Sequence, residues 1–338
     1  MLHEAKIIEL TPDDRRYLKR YYETSNPSFI ASVWDLHPDV FRSNVFNLRP
    51  PPKPGLPNNS IEAICGGKST AIGGYPALTK GKYVDERYVP EIERLGDELF
   101  RHNPNLILCL GNTAMWALLG QTAISRYRGT TAISTHCATG FKVLPTYHPA
   151  AVLRQWDLRP IVVLDLAKAR RESHTPSITR PARTIHIPET LEDCLEWWKE
   201  AKEYSRIAVD IETYGQQITC IGFAAGPSNC LVIPIHDGGR VGGSYWATQE
   251  VEVKVWGFIR EVLGSSIPKV FQNGMYDISF LWRAYGIKTM RAEEDTMLLH
   301  HALQPESLKG LGFLGSVYTD EGSWKHLRRG KDTIKEDD

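Results

Sequence analysis

Along the first half of the chain, short apolar runs alternate with stretches of helical apolar spacing. The runs Ser43–Leu48, Leu106–Leu110 and Lys142–Pro145 are each short enough to be buried strands. Between them, Tyr88–His102 and Asn112–Leu119 repeat apolar residues three and four apart, the spacing of a helix with one buried face. Strands alternating with helices predict a parallel sheet covered by helices. The second half opens with the strand-like Thr184–Ile187 and a helix from about Leu191 to Tyr204. Arg206–Ile211, Gln217–Ala225 and Asn229–Ile235 come next, separated by Gly, Pro and Asn, which predicts an antiparallel meander. A helix from about Thr248 to Leu263, a strand Lys269–Gln272 and helices near Tyr276–Tyr285 and Asp295–Leu303 complete an α/β pattern with a mixed sheet.

Between the halves lies Arg170–Pro188, with three prolines and interspersed Ser and Thr, which reads as a linker. The boundary falls near 178, giving two domains, 1–178 and 179–338. A length of 338 residues also favours two domains. Asn47–Ser60 carries too many prolines for a helix or a central strand. The composition, 42% hydrophobic and 24% charged, excludes disordered, collagen-like and coiled-coil chains. No apolar run reaches the ~18 residues of a membrane span, and the first residues lack an apolar signal core. Six cysteines without a Cys-x-x-Cys pair suggest reduced thiols in a cytoplasmic compartment. The zero net charge hides a basic first half and an acidic second half, and 101–180 is the most basic stretch. Charge of that kind suits either a polyanionic partner or a solvated surface.

The sharpest chemical signal is Ile207-Ala-Val-Asp-Ile-Glu-Thr213. Alternate strand residues share a face, so Asp210 and Glu212 project together from an apolar element. Their repulsion is relieved by a divalent cation, and Mg²⁺ prefers carboxylate oxygen. A second motif, Gln272-Asn-Gly-Met-Tyr-Asp-Ile278, places Asp277 after a strand and at a helix start, where it can join the same site. Asp277 could equally cap that helix, and Asp-x-Glu pairs are common on solvent faces. Two such motifs in this order, each at a strand end, are far more specific than either alone.

These segments resemble the proofreading 3′–5′ exonuclease domain of DNA polymerase I-type enzymes, in the four-carboxylate superfamily. The resemblance implies a ribonuclease H-like fold, with Asp210, Glu212 and Asp277 as catalytic ligands of two Mg²⁺ or Mn²⁺ ions. It implies that Thr213, Asn273 and Tyr276 lie by the substrate strand. The expected partner is DNA at single-stranded 3′ ends, with a polymerase domain or subunit nearby. Asp295 reads as a helix cap and not a ligand. The stretches 295–303 and 311–320 look like the connecting region of phage-type members. The family's third motif, Tyr-x-x-x-Asp or His-x-x-x-Asp, is missing. Tyr318 is followed four residues later by Gly322, and no spacing supports Asp332, Asp337 or Asp338. The chain thus reads as an exonuclease domain truncated before its fourth carboxylate.

In the first half, Ser43-Asn-Val-Phe-Asn-Leu-Arg-Pro-Pro51 and Val143-Leu-Pro-Thr-Tyr-His-Pro-Ala-Ala-Val-Leu-Arg154 stand out. An amide at a strand end can read a base edge, a loop histidine can bond a developing anion, and an arginine by a helix start can hold phosphate. An ordinary turn and loop would use the same residues. With Pro104–Gly120 and Arg128-Gly129 between them, the pieces resemble uracil-DNA glycosylases of the iron–sulfur type over roughly 40–170. Asn44 would match the uracil-reading Asn and His148 the catalytic-loop His; Arg154 is the arginine that, on its own chemistry, could hold phosphate. The implied fold is a glycosylase-like parallel sheet between helices. The family's opening Gly-Glu-x-Pro-Gly motif is absent, and the position of its motif cysteine is Leu48. No iron–sulfur cluster is expected, and little or no uracil excision. The residues support three readings. The first is a metal-dependent exonuclease joined to a glycosylase-like domain. The second is an inactive DNA-binding fragment of a longer phage-like polymerase or repair protein. The third is an active uracil-DNA glycosylase.

Overall fold

The computed structural model describes residues 40–180, 182–240, 242–319 and 321. Two compact units divide the chain. One holds the described residues up to Thr179 together with the described residues from Gly312 on, and the other is made of those within Arg180–Leu311.

In the first unit, β1 (Cys65–Gly66) pairs with β2 (Tyr83–Val84), and helix α1 (Val89–His102) comes after them. Then come β3 (Ile107–Leu110), α2 (Asn112–Leu119), α3 (Ile124–Tyr127), β4 (Ala132–Ile133) and β5 (Lys142–Thr146). Two helices close the run, α4 (Pro149–Arg154) and α5 (Leu158–Glu172). The sheet has the order β3-β5-β4, with β3 and β5 parallel and β4 antiparallel at the edge. All five β5 residues are buried, as a central strand covered on both faces requires. Helix α2 is buried almost all round, and Trp116 at its centre donates its indole N–H to Pro76 O at 2.8 Å.

Ser43–Leu48 is not a strand. Side chains of α1 take up its polar groups instead. Arg94 donates to Asn44 O and Val45 O, Glu98 accepts from Ser43 Oγ, and Glu91 accepts from Asn47 N–H. With those groups satisfied, the segment has no need of a ladder. The linker also starts later than its composition predicts, because Arg170, Arg171 and Glu172 are the last turn of α5. Buried Lys142 anchors the chain beyond that helix, donating to Glu172 Oε2 at 3.1 Å and to Ser177 O at 2.9 Å.

The second unit is a six-stranded mixed sheet. Its strands are β6 (Thr184–His186), β7 (Ile207–Tyr214), β8 (Gln217–Gly226), β9 (Asn229–Pro234), β10 (Lys269–Phe271) and β11 (Ala292–Asp295). The order is β11-β10-β7-β8-β9-β6. β7, β8 and β9 form the antiparallel meander, while β10 runs parallel to both β7 and β11. Helices α6 (Leu191–Ala201) and α7 (Gln249–Gly264) put Cys194, Trp197, Val255, Phe258, Ile259 and Val262 into one core with Val209, Ile221 and Phe223 of the sheet. Three more helices complete the described chain, α8 (Met275–Tyr285), α9 (Thr296–Leu303) and α10 (Leu311–Tyr318). From Gly312 on, α10 packs with the first unit. Among the described residues no helix is long and apolar enough to cross a membrane.

Helix α6 begins with a full capping box. Thr190 Oγ1 accepts from Asp193 N–H, and the Asp193 carboxylate accepts from Thr190 N–H. The loss of that pair sets the expected result for Thr190→Ala: a destabilisation of about 1 kcal/mol, read from chemical denaturation, with the sheet unchanged.

Candidate nuclease site

Strand β7 alternates buried and exposed. Ile207, Val209 and Ile211 enter the core, while Asp210, Glu212 and Tyr214 share the opposite, exposed face. The two carboxylates therefore stand on a strand whose other face is fixed by packing. Across the ladder, Asp210 faces Gly222 and Glu212 faces Cys220. A register shift comes after Glu212, where Thr219 donates its hydroxyl to Glu212 O at 3.0 Å.

The third carboxylate arrives from α8. Strand β10 ends at Phe271, and the chain turns through Asn273, whose φ of 58° lies in the left-handed region. Gly274 is required here by space. A Cβ on it would stand 2.4 Å from Phe271 Cβ. The turn delivers Asp277 to β7, where its Oδ1 accepts the Ile211 N–H at 3.1 Å. Only 5% of Asp277 is exposed. Burial pushes its carboxyl up to about 6; the Ile211 N–H opposes this, and the nearby charges of Asp210 and Asp295 add to it. Asp210 is likewise raised, first by loss of water and then by Glu212. Among the described residues no Lys or Arg pairs with any of the three.

Asp295 caps α9 through Met297 N–H and Leu298 N–H, as its position predicts. It does more than that. The same carboxylate accepts Asn273 N–H at 3.1 Å and Gly274 N–H at 2.8 Å, so it clamps the turn that carries Asp277. Burial alone would raise it, but these donors outweigh that and hold its carboxyl below the usual range. Nothing in the local sequence signals the clamp, which spans more than twenty residues. Thr213 and Tyr276 also meet, hydroxyl to hydroxyl, at 2.7 Å. Asn273 serves the turn through its backbone.

These three carboxylates are hard oxygen donors without cationic partners, and their charges act on one another, which fits a divalent ion. Among the described residues, however, no three Asp, Glu, His or Cys side chains close on a point to hold an ion unaided. Placed as they are, the three would supply at most part of a coordination shell. Asp332, Asp337 and Asp338 lie outside the described residues.

In the first unit, His148 caps α4. Its Nδ1 accepts Ala150 N–H at 3.0 Å, which places the ring proton on Nε2. It sits where β3 and β5 end, since a Cβ on Gly111 would approach His148 Cβ to 3.0 Å and Gly111 N–H donates to Thr146 O. Asn44 has an exposed side chain beside α1, and Arg154 lies exposed in the last turn of α4. Among the described residues no hydrogen bond or ion pair joins Asn44, His148 and Arg154. All six cysteines are free thiols.

Residues 185–325 match the family model described as 3′–5′ exonuclease, and residues 15–171 match the uracil DNA glycosylase superfamily. The chain therefore joins a uracil-DNA-glycosylase-like domain to a 3′–5′ exonuclease-like domain, and the hydrolytic activity it resembles is exonucleolytic. The glycosylase match starts upstream of residue 40, outside the described residues. No curated protein matches the chain. Similar solved structures include Brucella melitensis NrnC with bound Mg²⁺, at 17% identity and a TM-score of 0.28, covering 42% of this chain and 62% of that one. The Aedes aegypti Nibbler EXO domain is 16% identical with a TM-score of 0.34, covering 47% and 82%. Trypanosoma brucei RNase D in complex with RNA U12 is 22% identical with a TM-score of 0.30, covering 40% and 47%. The chain spans about three fifths of the length of NrnC.

Proposed function

We propose that this protein trims nucleic acid from a 3′ end with divalent metal ions held by Asp210, Glu212 and Asp277, while its glycosylase-like unit binds DNA. The observation that carries the reading is the docking of α8 on β7, where Asp277 is fixed on Ile211 N–H next to a strand that carries Asp210 and Glu212 on one face. Bound Mg²⁺ or Mn²⁺ would activate a water and stabilise the leaving oxygen. The chain's own part is to hold the carboxylates on a packed strand, to aim Asp277 through the Asp295 clamp, and to set Thr213 and Tyr276 beside the strand end. His148, Asn44 and Arg154 belong to the nucleic-acid surface of the first unit in this reading. A replication or repair role beside a polymerase, in the cytoplasm of a phage-infected host, agrees with the free thiols and with DNA as the substrate.

The test uses single-stranded oligonucleotides labelled at the 3′ or the 5′ end, with Mg²⁺, Mn²⁺ or EDTA. A ladder shortening from the 3′ end, abolished by EDTA, is the expected result. Salt-sensitive binding with no shortening in either metal would overturn it in favour of a DNA-binding protein without turnover. Release of free uracil from a dU-containing strand would instead show an active glycosylase.

A further inference from the structure

We infer that Tyr214 is a stacking platform for a base of the bound single strand, placed next to the carboxylates. This rests on the reading of β7 as a nuclease strand. Asp210, Glu212 and Tyr214 alternate along the same face. Two residues of strand advance about 7 Å, so the ring stands one short step beyond Glu212. The side chain is 81% exposed, and the two-residue turn after it, with Gly215 at a φ of 60°, gives it nothing to pack on. An exposed aromatic at a hairpin tip is ordinary by itself. The carboxylates that share its face make this one different. Thr213 before it lies on the other side of the strand, where its hydroxyl meets that of Tyr276. Tyr214 thus presents an open ring on the face of Asp210 and Glu212, where bound divalent ions would hold the phosphates of a strand. Base stacking on such rings is tolerant of sequence, as removal of successive 3′ nucleotides requires. The occupant is an unpaired base near the 3′ end, of DNA or of RNA.

The experiment uses the full chain and oligonucleotides with 2-aminopurine at the last or next-to-last 3′ position, in Ca²⁺. Parallel arms use single-stranded DNA and single-stranded RNA. Wild type and Tyr214→Phe should quench the fluorescent base on binding. Tyr214→Ala should lose the quench and bind roughly 5- to 100-fold more weakly, the range expected for one stacked base. A larger loss in one arm identifies the preferred strand. Unchanged quenching and affinity in Tyr214→Ala would overturn the inference, as would a wild-type chain that neither binds nor quenches. The underlying reading fails separately. If wild type shows Tyr214-dependent quenching yet never shortens the strand in Mg²⁺ or Mn²⁺, the platform stands and the exonuclease does not. If wild type shortens it and Tyr214→Ala matches its KM, the exonuclease stands and the platform does not.

Discussion

Asp277→Asn is expected to cut metal-dependent shortening of a 3′ end by roughly 10³-fold or more while leaving the folded protein intact. The fold should survive because an asparagine Oδ1 can accept the Ile211 N–H as the carboxylate does. Activity should fall because one of three carboxylate ligands becomes a neutral amide, and a metal site contributes several kcal/mol of charge stabilisation. An undiminished ladder from this variant would remove Asp277 from the site.

The same substitution carries a stability signature with a definite sign. Burial raises the Asp277 carboxyl from its ordinary 3.8 to about 6. Between those values the folded chain keeps the proton and the unfolded chain has released it. The metal-free protein is therefore favoured at low pH, and it loses that stability as pH rises through about 6. Two pKa units correspond to a cost of up to about 3 kcal/mol at neutral pH. Asp277→Asn should remove the cost, melting higher than wild type at pH 7.5 without metal and no higher near pH 3. Mg²⁺ should stabilise wild type and not the variant, since only a ligand that binds the folded state raises its stability. Equal stabilisation of both by Mg²⁺ would separate Asp277 from metal binding even if activity were lost.

Much of this site is legible in the sequence, and the reason is geometric. An apolar strand with two carboxylates at alternate positions can bury only one face, so Ile207, Val209 and Ile211 determine where Asp210 and Glu212 point. The same period also places Tyr214, two residues beyond Glu212 and just outside the carboxylate motif. Other parts depend on contacts between distant segments. β11 reads Ala-Glu-Glu-Asp and has no apolar alternation; it is a strand because β10 offers it an edge. Ser43–Leu48 has the letters of a strand, but the Arg94 guanidinium and two glutamates of α1 take its polar groups. Helix α5 is obscured by Pro160, which a first turn tolerates because its N–H has no intrahelical partner to lose. Asp295 is legible as a cap and illegible as a clamp, since capping is local and clamping is not.

The largest stability loss is expected in the first unit, at a buried pair whose arginine is that of the glycosylase-like Arg128-Gly129 step. Asp165 of α5 and Arg128 after α3 are 1% and 4% exposed. Arg128 grips the Asp165 carboxylate with two nitrogens, one of them Nε at 2.8 Å, and Thr146 Oγ1 donates to it at 2.7 Å. A third guanidinium nitrogen, Nη1, reaches Ser316 Oγ at 2.9 Å, and the Phe313 ring lies 5.2 Å from the guanidinium carbon. Removing one member of a buried pair strands the other without water, which costs about 3–5 kcal/mol. Asp165→Ala should therefore lose about that much, read from hydrogen exchange of the β5 amides, which report on this unit alone. Replacing both partners, as in Asp165→Leu with Arg128→Met, should cost much less than the two single changes added, because no charge is left buried. Arg128 holds α10 together with Lys168, which donates to Thr319 O at 2.8 Å just past the helix, so Arg128→Met should loosen α10 and speed chymotrypsin cleavage after Phe313 and Tyr318, while Thr190→Ala leaves the rate unchanged. A loss below about 1 kcal/mol for Asp165→Ala would mean that water reaches the pair, and the attachment of α10 would then rest on the Lys168–Thr319 hydrogen bond and on its apolar side chains.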